Sequence, residues 1–265
     1  MRVIGAQVLE HGNTYVGLTY STFAKSNDGE TAGTREHHDQ NDISLDVLTG
    51  LNDRWTLRAS LPYSFKRLKA TGEEPIDTQG IGDLTVGATF QAPPRTDDNV
   101  LLAATFDIKL PTGADNLRDP SGDLLEQHSQ IGTGSTDLTA GLLATTEGKG
   151  GLWFAGLQGR WNGRNGRGYQ YGKAAFYNFG YSYSIDGYSS LVTELNGRLA
   201  EKDRTETGER DENSGGHFGY LSLSYRRTIG PKLGLVASYQ LPVIKQLNGS
   251  QSETGLLSIS LSGRM

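Results

Sequence analysis

The chain has 265 residues, 35% hydrophobic and 21% charged, with a formal net charge of -5. No window approaches the ~18 consecutive apolar residues of a membrane helix, which excludes a helical membrane protein. The negative balance argues against nucleic acid as a partner. The absence of cysteine removes disulfides, thiolate metal sites and thiol nucleophiles.

Alternation of apolar and polar residues organises the chain. In one run Leu84, Val86, Ala88 and Phe90 are interleaved with Thr85, Gly87, Thr89 and Gln91. Successive side chains of a strand point to opposite faces, so such a run has one apolar and one polar face. Twelve runs are predicted in chain order: Thr14–Phe23, Asn41–Gly50, Arg54–Phe65, Gly82–Gln91, Asn99–Leu110, Thr136–Thr145, Leu152–Asn162, Tyr169–Ser184, Ser190–Ala200, Phe218–Thr228, Lys232–Val243 and Thr254–Arg264. Lengths near ten match the ~9–11 residues of a tilted strand that crosses a bilayer.

The links alternate in length. Short ones fall at 51–53, 92–98, 146–151, 185–187 and 229–231, rich in the Asn, Asp, Gly and Pro of tight turns. Long polar ones fall at 24–40, 66–81, 111–135, 163–168, 201–217 and 244–253. Short turns on one side and long loops on the other are the plan of an outer-membrane barrel. The fold expected is therefore all-β: a single twelve-stranded antiparallel transmembrane barrel over 1–265. It has short periplasmic turns, an N-terminal periplasmic segment at 1–13 and a long extracellular loop at 111–135. The opening Met1-Arg2-Val3-Ile4-Gly5 has no apolar core of a secretory signal. A barrel bound for the bacterial outer membrane has to be exported, so the chain is expected to be a processed or re-engineered form.

Aromatic residues sort toward the strand ends, as in the interfacial girdles of membrane barrels. Trp55, Phe90, Trp153 and Tyr225 lie at turn ends, and Tyr63, Phe65, Phe106, Trp161, Tyr169 and Tyr171 at loop ends.

Two stretches resemble a known family. Gly80-Ile81-Gly82-Asp83-Leu84-Thr85-Val86-Gly87 resembles the strand opening of a group of small outer-membrane proteins. Lys109-Leu110-Pro111-Thr112-Gly113, followed by Gly132-Thr133-Gly134-Ser135-Thr136-Asp137-Leu138, looks like their next hallmark. The group is the outer-membrane transporters labelled "MetA-pathway of phenol degradation". The resemblance implies a barrel associated with uptake of small, often aromatic, molecules, and it carries no catalytic residues across.

The polar half of each strand supplies the candidate pore-lining and selectivity residues: Asp42, Arg58, Asp83, Asp107, Lys109, Asp137, Arg160, Glu194, Arg198 and Arg226. Charges of both signs inside a barrel form cross-strand pairs that hold its shape, or the wall of a polar pore. Asp83, Asp107 and Asp137 are expected near the outer mouth with Lys109 beside them. They are either satisfied by Lys109 and loop N–H groups or act as an acidic filter for cations. Asp115, Asp119, Asp123 and Glu126 in the long loop have oxygen ligands at short spacing, but the spacing does not fit an EF-hand, and no metal is expected.

The function expected is passive passage of small solutes by a monomer embedded in outer-membrane lipid, with the barrel assembly machinery as a partner in biogenesis. No cofactor is expected. One alternative is a structural or engineered barrel closed by its own side chains and loop. A lipid-modifying enzyme is the third reading. His128-Ser129 is the sole adjacent His–Ser pair and no Gly-x-Ser-x-Gly elbow is present, so the chain is read as a non-enzyme.

Overall fold

The computed structural model describes residues 5–28, 35–93 and 99–265. Its strands are β1 (Thr14–Asp28), β2 (Arg35–Asn52), β3 (Trp55–Ala70), β4 (Ile76–Ile81), β5 (Thr85–Gln91), β6 (Val100–Lys109) and β7 (Asp137–Gly148). There follow β8 (Gly151–Asn162), β9 (Ala174–Ser184), β10 (Ser189–Ala200), β11 (Gly216–Ile229), β12 (Leu233–Leu247), β13 (Ser252–Glu253) and β14 (Leu256–Arg264). Every pairing is antiparallel, and β1 pairs with both β2 and β14, so the sheet closes on itself. Closure leaves no edge to be covered. The fourteen segments make twelve staves, because β4 with β5, and β13 with β14, each form one interrupted stave. The result is the twelve-stranded antiparallel barrel that the alternation predicts.

The interruption at Gly82-Asp83-Leu84 has a local cause. β3 pairs with β4 down to Tyr63↔Ile81 and with β5 from Ser60↔Thr85, so Leu61 and Pro62 face the gap. Proline has no N–H to give to a ladder and is tolerated where pairing lapses. Its carbonyl instead accepts the Gly82 N–H at 2.8 Å.

Alternation places the two faces as expected. On the outer wall Leu102, Leu142 and Leu157 are 54%, 69% and 62% exposed, while inward Thr105, Thr145 and Ser222 are buried. At the turn end Trp55 meets Phe90 with ring centroids 4.9 Å apart, and Trp153 stacks on Phe179 at 5.4 Å. At the loop end Tyr63 and Phe65 lie together, and Phe106 and Trp161 are exposed. Tyr169 and Tyr171 do not belong to this ring. They precede β9, which starts at Ala174 rather than at Tyr169, and they turn inward among the loops.

Several links predicted as long loops are mostly strand. β3 runs to Ala70 and β4 starts at Ile76, and β12 runs to Leu247 with β13 at Ser252. β1 reaches Asp28 and β2 begins at Arg35, residues 29–34 of that link lying outside the described ones. So do residues 94–98 of the predicted short turn 92–98. These extensions pair in register, with Lys25↔His38, His37↔Lys69 and Arg67↔Asp77 opposite one another. Both faces are polar there, so the apolar alternation that marks a strand stops before the strand does. Among the described residues no helix is long and apolar enough to cross a membrane.

Candidate functional site

The interior is organised around two ion-pair nodes, one with buried carboxylates and one half-buried. At the first, Lys109 Nζ lies 3.0 Å from Asp83 Oδ2 and 2.8 Å from Asp137 Oδ2. Asp83 also accepts the Gly113 N–H at 3.0 Å, the Thr133 N–H at 2.9 Å and the Thr133 hydroxyl at 2.7 Å. Asp137 accepts the Ser135 hydroxyl at 2.9 Å and the Gly163 N–H at 3.0 Å. At the second node Arg58 Nε and Nη2 donate to the two oxygens of Asp107, both at 2.6 Å.

The glycines of the two family motifs make these nodes possible. Arg58 on β3 reaches Asp107 on β6 by crossing Gly87 of the intervening β5, where a Cβ would overlap the Asp107 carboxylate. Gly113 and Gly132 press backbone to backbone, a Cβ on Gly113 falling 2.8 Å from Gly132 Cα. That contact folds the 111–135 connection back into the mouth. Gln130, 1% exposed, accepts from the Leu117 N–H and donates to the carbonyls of Leu117 and Leu125. Lys66 on β3 donates to the carbonyls of His128 and Gln130.

The three aspartates, read from the sequence either as satisfied by Lys109 and loop N–H groups or as an acidic filter, do not form a free ring. Asp83 and Asp137 meet on Lys109 with loop N–H groups around them, and Asp107 sits apart, held by Arg58. Asp42 faces inward on β2, accepting from Gln40 Nε2 at 2.8 Å and the Ser64 hydroxyl at 2.6 Å.

The remaining predicted residues line cavities in series. A loop-end cavity of about 500 Å³ is walled by Lys25, Lys66, Lys109, Arg160, Arg198 and Glu253, together with Phe23, Tyr171 and Phe176. A middle cavity of about 590 Å³ is walled by Arg58, Glu194, Arg198, Arg226, Phe154, Phe176 and Phe218. Phe176 and Arg198 wall both, marking the level where the two adjoin. Arg198 pairs with Glu253. The Arg160 guanidinium lies 4.7 Å above the Phe176 ring and makes no hydrogen bond to the described residues. Glu194 likewise faces the middle cavity without a hydrogen bond or ion pair among them.

One element of the interior was not foreseen. The segment before β1, expected to lie in the periplasm, enters the turn-end mouth. Ala6 is fully buried and its N–H donates to Thr145 Oγ1 on β7 at 2.8 Å; the Leu9 N–H donates to Thr56 Oγ1 on β3 at the same distance. A Cβ at Gly5 would overlap Thr145, and one at Gly50 would meet the carbonyls of Leu9 and Glu10. A third cavity of about 680 Å³ lies beyond the segment, and Gln7, Arg226 and Val236 wall both it and the middle one. The small residues Gly5 and Ala6 and the inward hydroxyls were the available signal, too weak to read without the closed ring.

The side chains of His128 and Ser129 face different partners. The Ser129 hydroxyl turns to Glu126, whereas His128 faces Asp203 and Tyr169. Among the described residues Asp115, Asp119 and Asp123 do not converge on a common point. Asp119 instead accepts the Asp123 N–H within a turn.

A closed twelve-stave barrel with an apolar outer wall and a polar interior is the architecture shared by outer-membrane channels, porins and autotransporter translocators. Within that class, the family profile described as "Putative MetA-pathway of phenol degradation" matches residues 24–241, and the chain belongs to this family. Among solved structures, an outer membrane channel from Pseudomonas putida F1 superposes with a TM-score of 0.74 at 16% identity, covering 98% of each chain. The translocator domain of the autotransporter NalP from Neisseria meningitidis gives 0.59 at 11%, covering 97% of this chain and 90% of that one. The CymD monoaromatic hydrocarbon channel gives 0.55 at 11%, covering 97% and 89%. At these identities the likeness is one of fold. No curated protein matches the chain in sequence.

Proposed function

We propose that the protein is an outer-membrane channel that passes small solutes, aromatic ones included, down their gradient without a chemical step. The observation that carries this reading is the series of three adjoining cavities along the barrel axis. Their walls mix rings with charges, a surface suited to a flat, polarisable solute carrying a polar group. The family description, with its phenol pathway, and the hydrocarbon-channel relative in fold point the same way. The exposed apolar band and its aromatic rings fit a bilayer, which supports the outer membrane as the location and lipid as the surrounding partner.

Because Asp83, Asp107 and Asp137 are matched by Lys109 and Arg58, the ion preference is assigned to the unmatched Glu194 and Arg160. Mouth and lumen charges set local ion concentration. Purified protein in a planar bilayer should give discrete, small conductance steps, with Glu194→Gln shifting reversal potential toward anions and Arg160→Gln toward cations. The second reading, a closed scaffold, is favoured by the N-terminal segment and the 111–135 connection, which occupy opposite mouths. A silent bilayer with correctly folded protein, whether or not residues 2–11 are present, would establish that reading instead.

A further inference from the structure

Three loops converge on one imidazole above the loop-end cavity. His128 belongs to a single 3-10 turn (Gln127–Ser129) in the connection between β6 and β7. Its Nε2 lies 3.5 Å from Asp203 Oδ2, in the connection between β10 and β11. Asp211 comes from the same connection as Asp203. One ligand atom from each of His128, Asp203 and Asp211 can be chosen so that all three lie within 4.8 Å of one another. Tyr169, from the connection between β8 and β9, places its hydroxyl 2.7 Å from Asp203 Oδ2 and 3.3 Å from His128 Nε2.

The spacing suits a cation, and the two carboxylates supply the countercharge, with Lys25 near Asp203 the competing cation. An N···O distance of 3.5 Å is long for a hydrogen bond. It is close to the separation of two ligand atoms about a tetrahedral ion with bonds of roughly 2.0–2.2 Å. Asp203 is buried, at 6% exposure, and neither it nor Asp211 has a Lys or Arg ion-pair partner among the described residues. Asp203 Oδ1 accepts the Gly172 N–H at 2.8 Å, which fixes the carboxylate with Oδ2 toward the imidazole.

We propose that His128, Asp203 and Asp211 form a binding site for one divalent transition-metal ion of the zinc, nickel or copper class. Water or the Tyr169 hydroxyl would complete the shell. An imidazole with two carboxylates selects these ions over calcium or magnesium, which take all-oxygen shells. The bound ion ties the connection that fills the mouth to the one between β10 and β11, and so fixes the cover of the loop-end cavity. This holds whether or not the barrel conducts.

The test uses the full chain, folded in detergent and stripped with a chelator, and titrated calorimetrically with zinc alone. About one zinc per chain is expected near pH 7.5. His128→Ala and Asp211→Asn should each weaken binding by about a hundredfold or more, since each removes a direct ligand. His38→Ala is the control, because His38 lies between Glu36 and Glu126 in the other histidine–carboxylate cluster. Zinc should also slow proteolysis within 201–215 in the wild type and leave it unchanged in His128→Ala. Asp211 is only partly buried, so its variant keeps the test valid if His128→Ala fails to fold. No saturable binding, binding that survives Asp211→Asn, or binding lost with His38→Ala would each overturn the proposal.

Discussion

Replacing Lys109 with Met keeps the bulk of the side chain and removes the one cation shared by Asp83 and Asp137, whose side chains are 6% and 7% exposed. Taking away one partner of a buried ion pair costs about 3–5 kcal/mol, because the remaining charge is left in a medium that solvates it poorly. Here two carboxylates are left, but Asp83 keeps three hydrogen bonds from loop groups and Asp137 keeps two. The lower end of the range is therefore expected, about 3 kcal/mol, a roughly 150-fold fall in the folded-to-unfolded ratio. Reversible urea unfolding in lipid vesicles, followed by tryptophan fluorescence, gives the loss directly. The mobility of unboiled protein on a denaturing gel checks that the barrel still closes. Adding Asp83→Asn and Asp137→Asn should recover much of the loss, since the uncompensated charge is then gone. A loss under about 1 kcal/mol, the level of an exposed pair, or a triple variant no better than Lys109→Met, would refute this account of the node.

Deleting residues 2–11 should leave the barrel folded and raise single-channel conductance, because Ala6 and Leu9 no longer cross the turn-end mouth; an unchanged step size would remove the segment from the conduction path. Leu142→Arg on the outer wall should cost about 2–4 kcal/mol in vesicles against much less for Ser258→Arg facing the lumen, and equal costs would mean the outer wall does not face lipid. In the turn between β9 and β10, Asp186 accepts the backbone N–H groups of Tyr188 at 2.7 Å and Ser189 at 2.6 Å, and chiefly the Tyr188 bond holds its carboxyl below the usual range. Its contribution is thus present above the ordinary carboxylate pKa and lost as pH falls through the lowered one, so Asp186→Ala should speed exchange of the Ser189 amide at pH 6–7 and make little difference near pH 2.

The barrel was legible because period-two alternation survives wherever one face is apolar, as in Leu84 to Phe90 or Leu257 to Leu261. It failed at the loop ends, where Lys25, His38 and Arg67 continue strands that are polar on both faces. The aromatic count misled at Tyr169 and Tyr171, since a ring beside an apolar run reads the same whether it points to lipid or into a loop. In the candidate site, the motif glycines and Asp83 stood out by resemblance, but their reason did not. That Gly87 exists to let Arg58 reach Asp107 needs the register of three strands, none adjacent to the next in sequence by fewer than several residues. The pairing of Lys109 with Asp83 and Asp137 is one of the two readings the sequence leaves open, whereas the N-terminal segment in the mouth was hidden, because nothing in a short stretch with only Val8 and Leu9 as larger apolar residues says which wall it will meet.

That segment is also a mechanical part. It is anchored to Thr56 on β3 and to Thr145 on β7, which lie three staves apart, a quarter of the way round the ring. A closed sheet of twelve staves keeps all its ladder bonds while flattening from a circle toward an ellipse, so ring closure alone does not set the shape of the bore. A strap bonded to two staves a quarter of the ring apart resists any flattening that changes the distance between them. The arc from β3 to β7 at the turn end should therefore hold its curvature more firmly than the rest of the ring, and shape fluctuations of this mouth should fall on the staves away from the strap.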